Sequence, residues 1–291
     1  MTTSIGPRGV RVICVTYNPG PELADFASSL RTASTADVEL VLADNGPVAH
    51  VVDEIASTYG ARVLRTGANL GYGGGANAGA VDARQPWLVV ANTDIIWEAG
   101  ALDALIDAAE SDPTVAAVGP ALLNPDGTVY PSARELPSLT QGVGHALFVR
   151  VWPGNPWTRA YHRRQEEAGS QRFAGWLSGA CLVLRREAFE QVGGFDDAYF
   201  MFFEDVDLGE RLAQAGWRNL YVPSVHVTHV GGTSWRERPA SMITAHHRSA
   251  AMYLGRRYHH WYEWPVRTAL AVGLRWRENA QLRAARRSSP A

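Results

Sequence analysis

Short apolar segments that alternate with helix-like segments constrain the fold of this chain more than any other feature. Four of these segments are rich in β-branched and other apolar residues: Val10–Thr16, Val38–Ala43, Arg62–Arg65 and Trp87–Ala91. Between them, apolar residues recur at helical spacing, as Leu23, Phe26, Ala27 and Leu30 do. Strands that are apolar along their whole length are typical of a parallel sheet covered on both faces. The pattern therefore predicts an α/β fold, with a mostly parallel sheet flanked by helices.

The later part of the chain is less regular. Val115–Leu123 is another apolar run, and residues 124–172 show so little periodicity that they predict a functional excursion rather than a plain loop. Gly175–Leu184 is predicted to form one strand, and Leu208–Ala215 a helix that ends at Gly216. Cys14 and Cys181 lie inside apolar runs without metal-type spacing, which predicts two buried, reduced thiols.

Polar residues follow three of the predicted strands at the point where each strand ends. They are Thr16, Tyr17 and Asn18 after the first strand, Asp44 and Asn45 after the second, and Asn92, Thr93 and Asp94 after the fourth. A single Asp after a strand usually serves a turn or caps a helix. In open α/β sheets, however, ligands bind outside the carboxyl ends of the strands. Three strands that end in this way predict a binding site at that edge.

The glycine-rich segment Gly67–Gly79 allows two interpretations. Gly71 to Ala76 nearly matches the dinucleotide-binding pattern G-x-G-x-x-G/A, and Asp94 follows at about the distance expected of a ribose-binding acid. The glycines begin several residues after the third strand, which weakens that match. The other interpretation is a flexible turn that lets a helix approach the sheet closely.

Two groups of acidic residues could carry chemistry. Asn92-x-Asp94 after an apolar strand suits a hard divalent cation that diphosphate oxygens and water also coordinate. Glu204, Asp205 and Asp207 follow an aromatic block, Tyr199–Phe203. Their mutual repulsion predicts a raised pKa for at least one carboxyl, which would suit a general base. Alternatively, these acids cap a helix that starts near Val206.

Histidines give weaker signals. His226 and His229 are three residues apart on a predicted strand, so their side chains should point to opposite faces and not form a zinc pair. One of them could serve as a single metal ligand. The pairs His246-His247 and His259-His260 are predicted to be solvated helix positions.

Taken in order, these segments resemble the family 2 glycosyltransferases, which have the GT-A fold. The matching segments are VTYNPG at 15–20, LADN at 42–45, GANLGYGGGANAG at 67–79, VANTD at 90–94, WLSGACLVLRREAF at 176–189 and GGFDDAYFMFFEDVDLGERLAQAGW at 193–217. Within the family, YPSARELPSL at 130–139 and NPWTRAY at 155–161 are similar to rhamnosyltransferases of arabinogalactan linker assembly. That similarity implies transfer of L-rhamnose from dTDP-β-L-rhamnose to polyprenyl-diphosphate-linked N-acetylglucosamine.

The resemblance also implies roles for individual residues. A nucleotide-sugar donor would be bound by Thr16, Tyr17, Asn18, Asp44, Asn69, Gly71, Gly73, Asn92 and Thr93, with Asp44 accepting the pyrimidine N3–H. The acceptor would be bound by Trp176, Ser178, Gly179 and Glu204. Asp94 and His229 would hold Mg²⁺ or Mn²⁺, and Asn92 stands where the family often has Asp. Asp205 would be the catalytic base of a single inverting displacement.

Two other functions remain open from the residues alone. A nicotinamide-dependent oxidoreductase would use the loop Gly71–Ala76, and a non-catalytic nucleotide-sugar-binding protein would not need Asp205. Binding of dTDP or of NAD would separate the first from the glycosyltransferase.

The C-terminal segment differs from the rest in charge. Residues 236–291 contain eleven arginines and three acids, whereas the whole chain of 291 residues has a net charge of −2. We therefore divide the chain into a catalytic domain, 1–235, and a helical Arg/Trp-rich extension, 236–291. The extension predicts contact with an anionic membrane surface or another subunit.

No apolar run approaches the ~18 residues that span a bilayer. The expected location is the cytoplasm, peripheral to the inner face of the cell membrane. Nucleic acid is not expected as a partner, because the central charge is negative.

Overall fold

The computed structural model describes residues 9–47, 50–137, 169–231 and 239–288. The strands in these ranges are β1 Val10–Thr16, β2 Val38–Asp44, β3 Arg62–Arg65, β4 Trp87–Ala91, β5 Ile95–Trp97, β6 Val115–Leu123, β7 Val129–Tyr130, β8 Ala133–Arg134, β9 Arg172–Ala174, β10 Trp176–Leu177, β11 Cys181–Arg185 and β12 Arg218–His229. The helices are α1 Glu22–Ala33, α2 His50–Tyr59, α3 Gly71–Ala80, α4 Ala101–Glu110, α5 Arg186–Gln191, α6 Glu204–Gln214, α7 Pro239–Arg257 and α8 Trp264–Ser288. A 3₁₀ turn, Trp261–Glu263, precedes α8.

The main sheet has the strand order β3-β2-β1-β4-β11-β6-β12-β5, with β7 paired to β6 and β9 paired to β12. The first four strands are parallel, with Val10 beside both Val38 and Trp87. This confirms the predicted parallel arrangement of the N-terminal strands. β11 runs antiparallel between β4 and β6, and β12 is parallel to β6. A small second sheet pairs β8 with β10.

Side chains from alternate strand positions form cores on the two faces of this sheet. Val10, Val12 and Cys14 pack on one face with α1 and α4, while Leu88, Val90 and their neighbours pack on the other with α5 and α6. Cys14 and Cys181 are buried free thiols, as predicted. Burial raises the pKa of both thiols, so they stay protonated.

The glycine-rich segment forms a helix, α3, packed against β1. A Cβ on Gly79 would lie 2.4 Å from Ile13 Cγ2, and one on Gly75 would lie 2.8 Å from Val15 Cγ1. These glycines therefore let the helix backbone approach the strand. The finding favours the close-approach interpretation, although the segment is helical rather than a turn.

The predicted single strand Gly175–Leu184 is wrong. The chain forms β10, turns at Ser178-Gly179-Ala180, and then forms β11 in a different sheet. Small residues at the turn are apolar enough to continue a strand pattern, but Gly179 lets the backbone pass close to Tyr72 and Asp205. This turn, residues 178–180, lies at the centre of the candidate site.

The helix predicted at Leu208–Ala215 begins four residues earlier, at Glu204. Two consecutive aromatic residues, Phe202 and Phe203, precede it with φ of +67°, in the left-handed region that side chains rarely adopt. The acids Glu204, Asp205 and Asp207 thus occupy the first turn of α6, where the helix dipole favours negative charge.

The C-terminal helices pack against the rest of the protein through α7. Tyr253 is buried with Tyr199 and Val206, and Ser249 donates a hydrogen bond to the carbonyl of Met201 at 2.8 Å. His247 is 4% exposed, so its predicted solvation is wrong. His259 and His260 are exposed but lie between α7 and α8 rather than on a helix. No described helix is long and apolar enough to cross a membrane.

Candidate active site

Two backbone amides donate hydrogen bonds to the carboxylate of Asp205, which lies in the first turn of α6. Gly179 N–H donates to Oδ2 at 3.0 Å and Val206 N–H donates to Oδ1 at 2.9 Å. Each oxygen keeps a lone pair, because a carboxylate can accept about four hydrogen bonds. Burial raises the pKa of Asp205, while these amides and the charge of Arg134 oppose the rise. The group is thus oriented, more basic than an ordinary Asp, and able to accept a proton.

Glu204 is the buried neighbour of this base. Its side chain is 6% exposed, and Oε2 has no hydrogen-bond partner within the described part of the chain. Burial first, and then the negative charge of Asp205, raises the pKa of Glu204 well above its ordinary value. Glu204 therefore holds a proton, and the negative charge of the pair resides on Asp205. Repulsion between the two carboxylates contributes to the raised pKa of Glu204, as predicted, but burial is the larger cause.

The turn 178–180 connects this base to the end of β4. Ala180 O accepts a hydrogen bond from Asn92 N–H at 3.0 Å, one residue away from the amide that holds Asp205. Ser178 N–H donates to Ser132 O at 2.7 Å, which anchors the other side of the turn. The turn therefore contacts both Asp205 and the strand end that precedes Asp94.

Asp94 and His229 form the candidate cation site. His229 Nε2 lies 3.3 Å from Asp94 Oδ1 and 3.2 Å from Asn92 Nδ2, and Gly231 N–H donates to Asp94 Oδ2 at 3.0 Å. Burial acts to raise the pKa of Asp94, but the contacts with His229 and Gly231 prevail and lower it. Two adjacent ligands on an octahedral Mg²⁺ lie about 3 Å apart, so this oxygen and nitrogen fit one ion.

Protein side chains alone would not complete that coordination shell. Among the described residues, no group of three or more His, Cys, Asp and Glu side chains is placed to hold a metal ion. Asp94 and His229 would thus need diphosphate oxygens and water as further ligands. His226 lies 3.7 Å from Glu98 and does not join His229, as the strand geometry predicts.

The residues predicted to contact the nucleotide lie at the ends of β1 and β2. Thr16 Oγ1 donates to Asp44 Oδ1 at 2.8 Å, and Arg65 forms an ion pair with Asp44 Oδ2. The Asp44 side chain is fully buried beneath Arg65. Recognition of a base by Asp44 would therefore require Arg65 to move or to join the contact.

The remaining predicted donor residues are placed around α3. Asn45 Nδ2 donates to Gly71 O at 2.7 Å, and Asn69 Oδ1 accepts from Gly71 N–H at 3.1 Å. Tyr17 is exposed, and Asn18 follows it with φ of +49°. Gly73 is buried, and a Cβ there would lie 2.9 Å from that of Phe195, so the glycine serves packing. Thr93 lies half-buried between Asn92 and Asp94.

The predicted acceptor residues surround Asp205. Gly179 and Glu204 have been described, and Trp176 packs on α6, since a Cβ on Gly209 would lie 2.8 Å from the Trp176 Cβ. Because Gly209 is four residues after Asp205, both lie on one helix face. Of the segments similar to rhamnosyltransferases, 155–161 and residues 138 and 139 lie outside the described residues.

Sequence reasoning missed three residues of the site. Tyr72 donates its hydroxyl hydrogen to Gly179 O at 2.5 Å, Arg65 covers Asp44, and Arg134 influences Asp205. Tyr72 is an aromatic residue within a run of glycines, which is a signal that could have drawn attention to it. Neither arginine stands out in a chain whose cations are all arginine.

Comparisons with known proteins show the family to which this chain belongs. Residues 7–248 match the family described as glycosyltransferase like family 2. An N-acetylglucosaminyl-diphospho-decaprenol L-rhamnosyltransferase of Mycobacterium tuberculosis is 46% identical over 290 residues, covering 96% of this chain and 94% of that protein. It is a relative over nearly its full length.

Two solved structures share the fold at low sequence identity. A mannosyltransferase of Pyrobaculum calidifontis in complex with GDP-Man and Mn²⁺ has a TM-score of 0.60 at 18% identity, covering 99% of this chain and 79% of that one. GalNAc-T7 with UDP, GalNAc and Mn²⁺ has a TM-score of 0.56 at 16% identity, covering 76% and 43%. The predicted GT-A fold is thereby confirmed, and the nicotinamide interpretation of Gly71–Ala76 loses its support. The chain belongs to glycosyltransferase family 2 and is an enzyme of that family.

Proposed function

We propose that this enzyme transfers L-rhamnose from dTDP-β-L-rhamnose to a hydroxyl of polyprenyl-diphosphate-linked N-acetylglucosamine, in assembly of a cell-wall linker. The similarity to a decaprenol-linked rhamnosyltransferase over 96% of the chain supports the choice of donor sugar and acceptor. One structural observation carries the chemistry. The turn 178–180 holds Asp205 through Gly179 N–H and the metal-side strand end through Ala180 O.

The reaction follows as one inverting displacement. Asp205 takes the proton of the acceptor hydroxyl while that oxygen attacks the anomeric carbon of rhamnose. The bond from this carbon to the dTDP oxygen breaks, and its electron pair leaves with dTDP. Attack from the opposite side turns a β-linked donor into an α-L-rhamnoside. Glu204, being neutral, adds no second negative charge beside the base.

Asp94 and His229 would hold a divalent cation, Mg²⁺ or Mn²⁺, next to the donor. When bound, this ion supplies positive charge that neutralises the departing diphosphate. Asn92 contacts His229 rather than standing free, so in this proposal it orients the histidine.

Donor recognition is assigned to the strand ends. Thr16, Tyr17 and Asn18 would line the nucleoside pocket, with Asp44 accepting the thymine N3–H after Arg65 shifts. Asn69, Gly71 and Gly73 would lie along the nucleoside and diphosphate, and Thr93 beside Asn92. The Thr16–Asp44 hydrogen bond supports this assignment, since it fixes the carboxylate in place.

The C-terminal extension would place the enzyme on the cytoplasmic face of the membrane, where a polyprenyl-linked acceptor is found. Trp264, Val272 and Trp276 are 59%, 63% and 75% exposed, at successive spacings of eight and four residues along α8. Trp261 and Tyr262, in the turn before α8, are also exposed, and Arg275 and Arg277 flank Trp276 in the sequence. Exposed tryptophan beside arginine suits the interface of anionic lipids.

Product analysis tests the proposed function. The purified full chain with Mn²⁺ is incubated with a short-chain polyprenyl-diphosphate N-acetylglucosamine and dTDP-rhamnose, UDP-glucose or GDP-mannose in turn. Of the three donors, we expect transfer only from dTDP-rhamnose. The product should carry one added deoxyhexose, and NMR should show an α-linkage. Binding of dTDP-rhamnose without transfer would instead indicate a non-catalytic binding protein, and transfer from another donor would contradict the assigned sugar.

A further inference from the structure

Arg134 occupies an unusual position beside the base. It lies on β8 directly opposite Trp176 on β10, in the small second sheet. Its guanidinium carbon is 5.6 Å from the centre of the Trp176 ring and 5.7 Å from that of Tyr130, within cation–π range of both. Nε donates to the carbonyl of Pro131 at 2.9 Å. These contacts hold the guanidinium in place while the residue remains exposed.

Among the described residues, no acid forms an ion pair with Arg134. Within the described ranges, no carboxylate oxygen lies within 4 Å of its nitrogens, whereas Arg65 and Arg211 form ion pairs with Asp44 and Asp207. Within the same ranges, the only hydrogen bond of the guanidinium is the one from Nε to Pro131, so no described residue occupies its terminal nitrogens. A planar guanidinium in fixed orientation matches two phosphate oxygens at once, which a lysine does not.

The surroundings place this cation near the acceptor. Trp176 packs on Gly209, on the helix face that carries Asp205, and the charge of Arg134 lowers the pKa of Asp205. On the other side, the Tyr130 ring lies 6.5 Å from that of His229. The donor diphosphate would already have the cation held by Asp94 and His229. A diphosphate attached to the acceptor sugar would need another positive partner close to Asp205.

We propose that Arg134 binds the diphosphate of the lipid-linked acceptor and so selects a sugar diphosphate over a neutral glycoside. The proposal rests on the proposed function, since it takes Asp205 as the point where the acceptor hydroxyl reacts. Tyr130 and Trp176 act as positioning residues that hold the guanidinium, and their ring faces leave its edge open to the phosphate oxygens.

The test compares two acceptors that share the sugar and differ in the diphosphate. One is a short-chain polyprenyl-diphosphate N-acetylglucosamine, and the other is a neutral alkyl N-acetylglucosaminide. For Arg134→Gln we expect the KM of the diphosphate acceptor to rise by about tenfold or more. The KM of the neutral acceptor and that of dTDP-rhamnose should change by less than about twofold. Arg134→Lys should recover part of the loss, and Arg31→Gln, which removes a charge at the end of α1, should leave both acceptors unaffected.

Three results would overturn the proposal. A rise in the KM of dTDP-rhamnose alone would assign the guanidinium to the donor diphosphate. An equal rise in the KM of both acceptors would indicate that Arg134 positions the aromatic rings. A shifted pH profile with unchanged acceptor KM would indicate that Arg134 tunes the pKa of Asp205.

Direct binding separates this proposal from the proposed function. Calorimetry in an Asp205→Asn background measures affinity for the diphosphate acceptor without turnover. Loss of that affinity in Arg134→Gln supports the site even if the transferred sugar is not rhamnose. Unchanged affinity contradicts the site even if rhamnosyl transfer is demonstrated.

Discussion

The hydroxyl of Tyr72 donates a hydrogen bond to the carbonyl of Gly179 at 2.5 Å, while the amide of the same glycine donates to Asp205 at 3.0 Å. One peptide segment thus connects a tyrosine of α3 to the carboxylate that begins α6. Burial is the first cause of the raised pKa of Tyr72, and the negative charge of Asp205 adds to it. Its hydroxyl therefore remains a donor.

Tyr72→Phe should lower kcat by roughly tenfold, because the unpaired Gly179 carbonyl lets the turn relax and misorients Asp205. The KM of dTDP-rhamnose should stay within about twofold. Steady-state kinetics measure both, with Tyr59→Phe as a control that removes a hydroxyl far from the turn. An unchanged kcat would show that Tyr72 does not position the base.

Glu204→Gln should stabilise the protein at neutral and higher pH. A carboxyl whose pKa is raised by folding contributes stability that is fully present below its unfolded pKa and is lost as the pH rises through the folded pKa. The neutral Gln avoids that loss. Thermal melting at several pH values should therefore show a gain in Tm near about pH 8 that shrinks as the pH falls toward the ordinary value of 4.5. Exposed Glu187→Gln is the control. A gain that does not depend on pH would contradict a raised pKa.

Asp94→Asn should abolish stimulation by Mn²⁺ and weaken Mn²⁺ binding in the presence of dTDP by at least about tenfold. His229→Ala should weaken it as well, because His229 Nε2 lies 3.3 Å from Asp94 Oδ1. Paramagnetic relaxation of water protons reports the bound Mn²⁺ directly, without turnover. His226→Ala, which removes a histidine paired to Glu98, should bind Mn²⁺ normally. Normal binding in Asp94→Asn would place the metal elsewhere.

Replacing Trp261, Trp264 and Trp276 by Ser should reduce binding to vesicles rich in anionic lipid by about tenfold or more. These side chains are 83%, 59% and 75% exposed, so the fold should tolerate the changes. Co-sedimentation measures the bound fraction, with neutral vesicles and the exposed-residue variant Val81→Ser as controls. If the triple variant binds as the parent does, the extension contacts another subunit or solvent instead.

The sequence predicts those parts of the fold that depend on continuous apolar runs. β1, β3 and β4 have the predicted ends. The reason is clearest for β4, which is buried along its whole length and must therefore be apolar throughout. The break at 178–180 was missed, since Ser, Gly and Ala interrupt no hydrophobic pattern. The start of α6 was missed because Phe202 and Phe203 adopt a left-handed backbone that their identity disfavours.

The candidate site was likewise predicted only in part. Polar residues at strand ends point to Asp94 and Asp44, and the acidic triplet points to Asp205. The contacts that connect them depend on chain segments far apart in sequence: Tyr72 with Gly179, Arg65 with Asp44, and Arg134 with Trp176. The burial of His247 likewise depends on how α7 packs, which periodicity does not reveal.

The central claim is that Asp205 is the base that activates the acceptor, and Asp205→Asn tests it most directly. Calorimetry with dTDP-rhamnose and Mn²⁺ measures donor affinity, and a rhamnosyl-transfer assay measures kcat on the same preparation. We predict a fall in kcat of about 10²–10⁴-fold with donor Kd changed by less than about twofold. Asp207→Asn, which weakens the ion pair with Arg211, should retain most of the activity. Full transfer by Asp205→Asn, with donor affinity intact, would contradict the account.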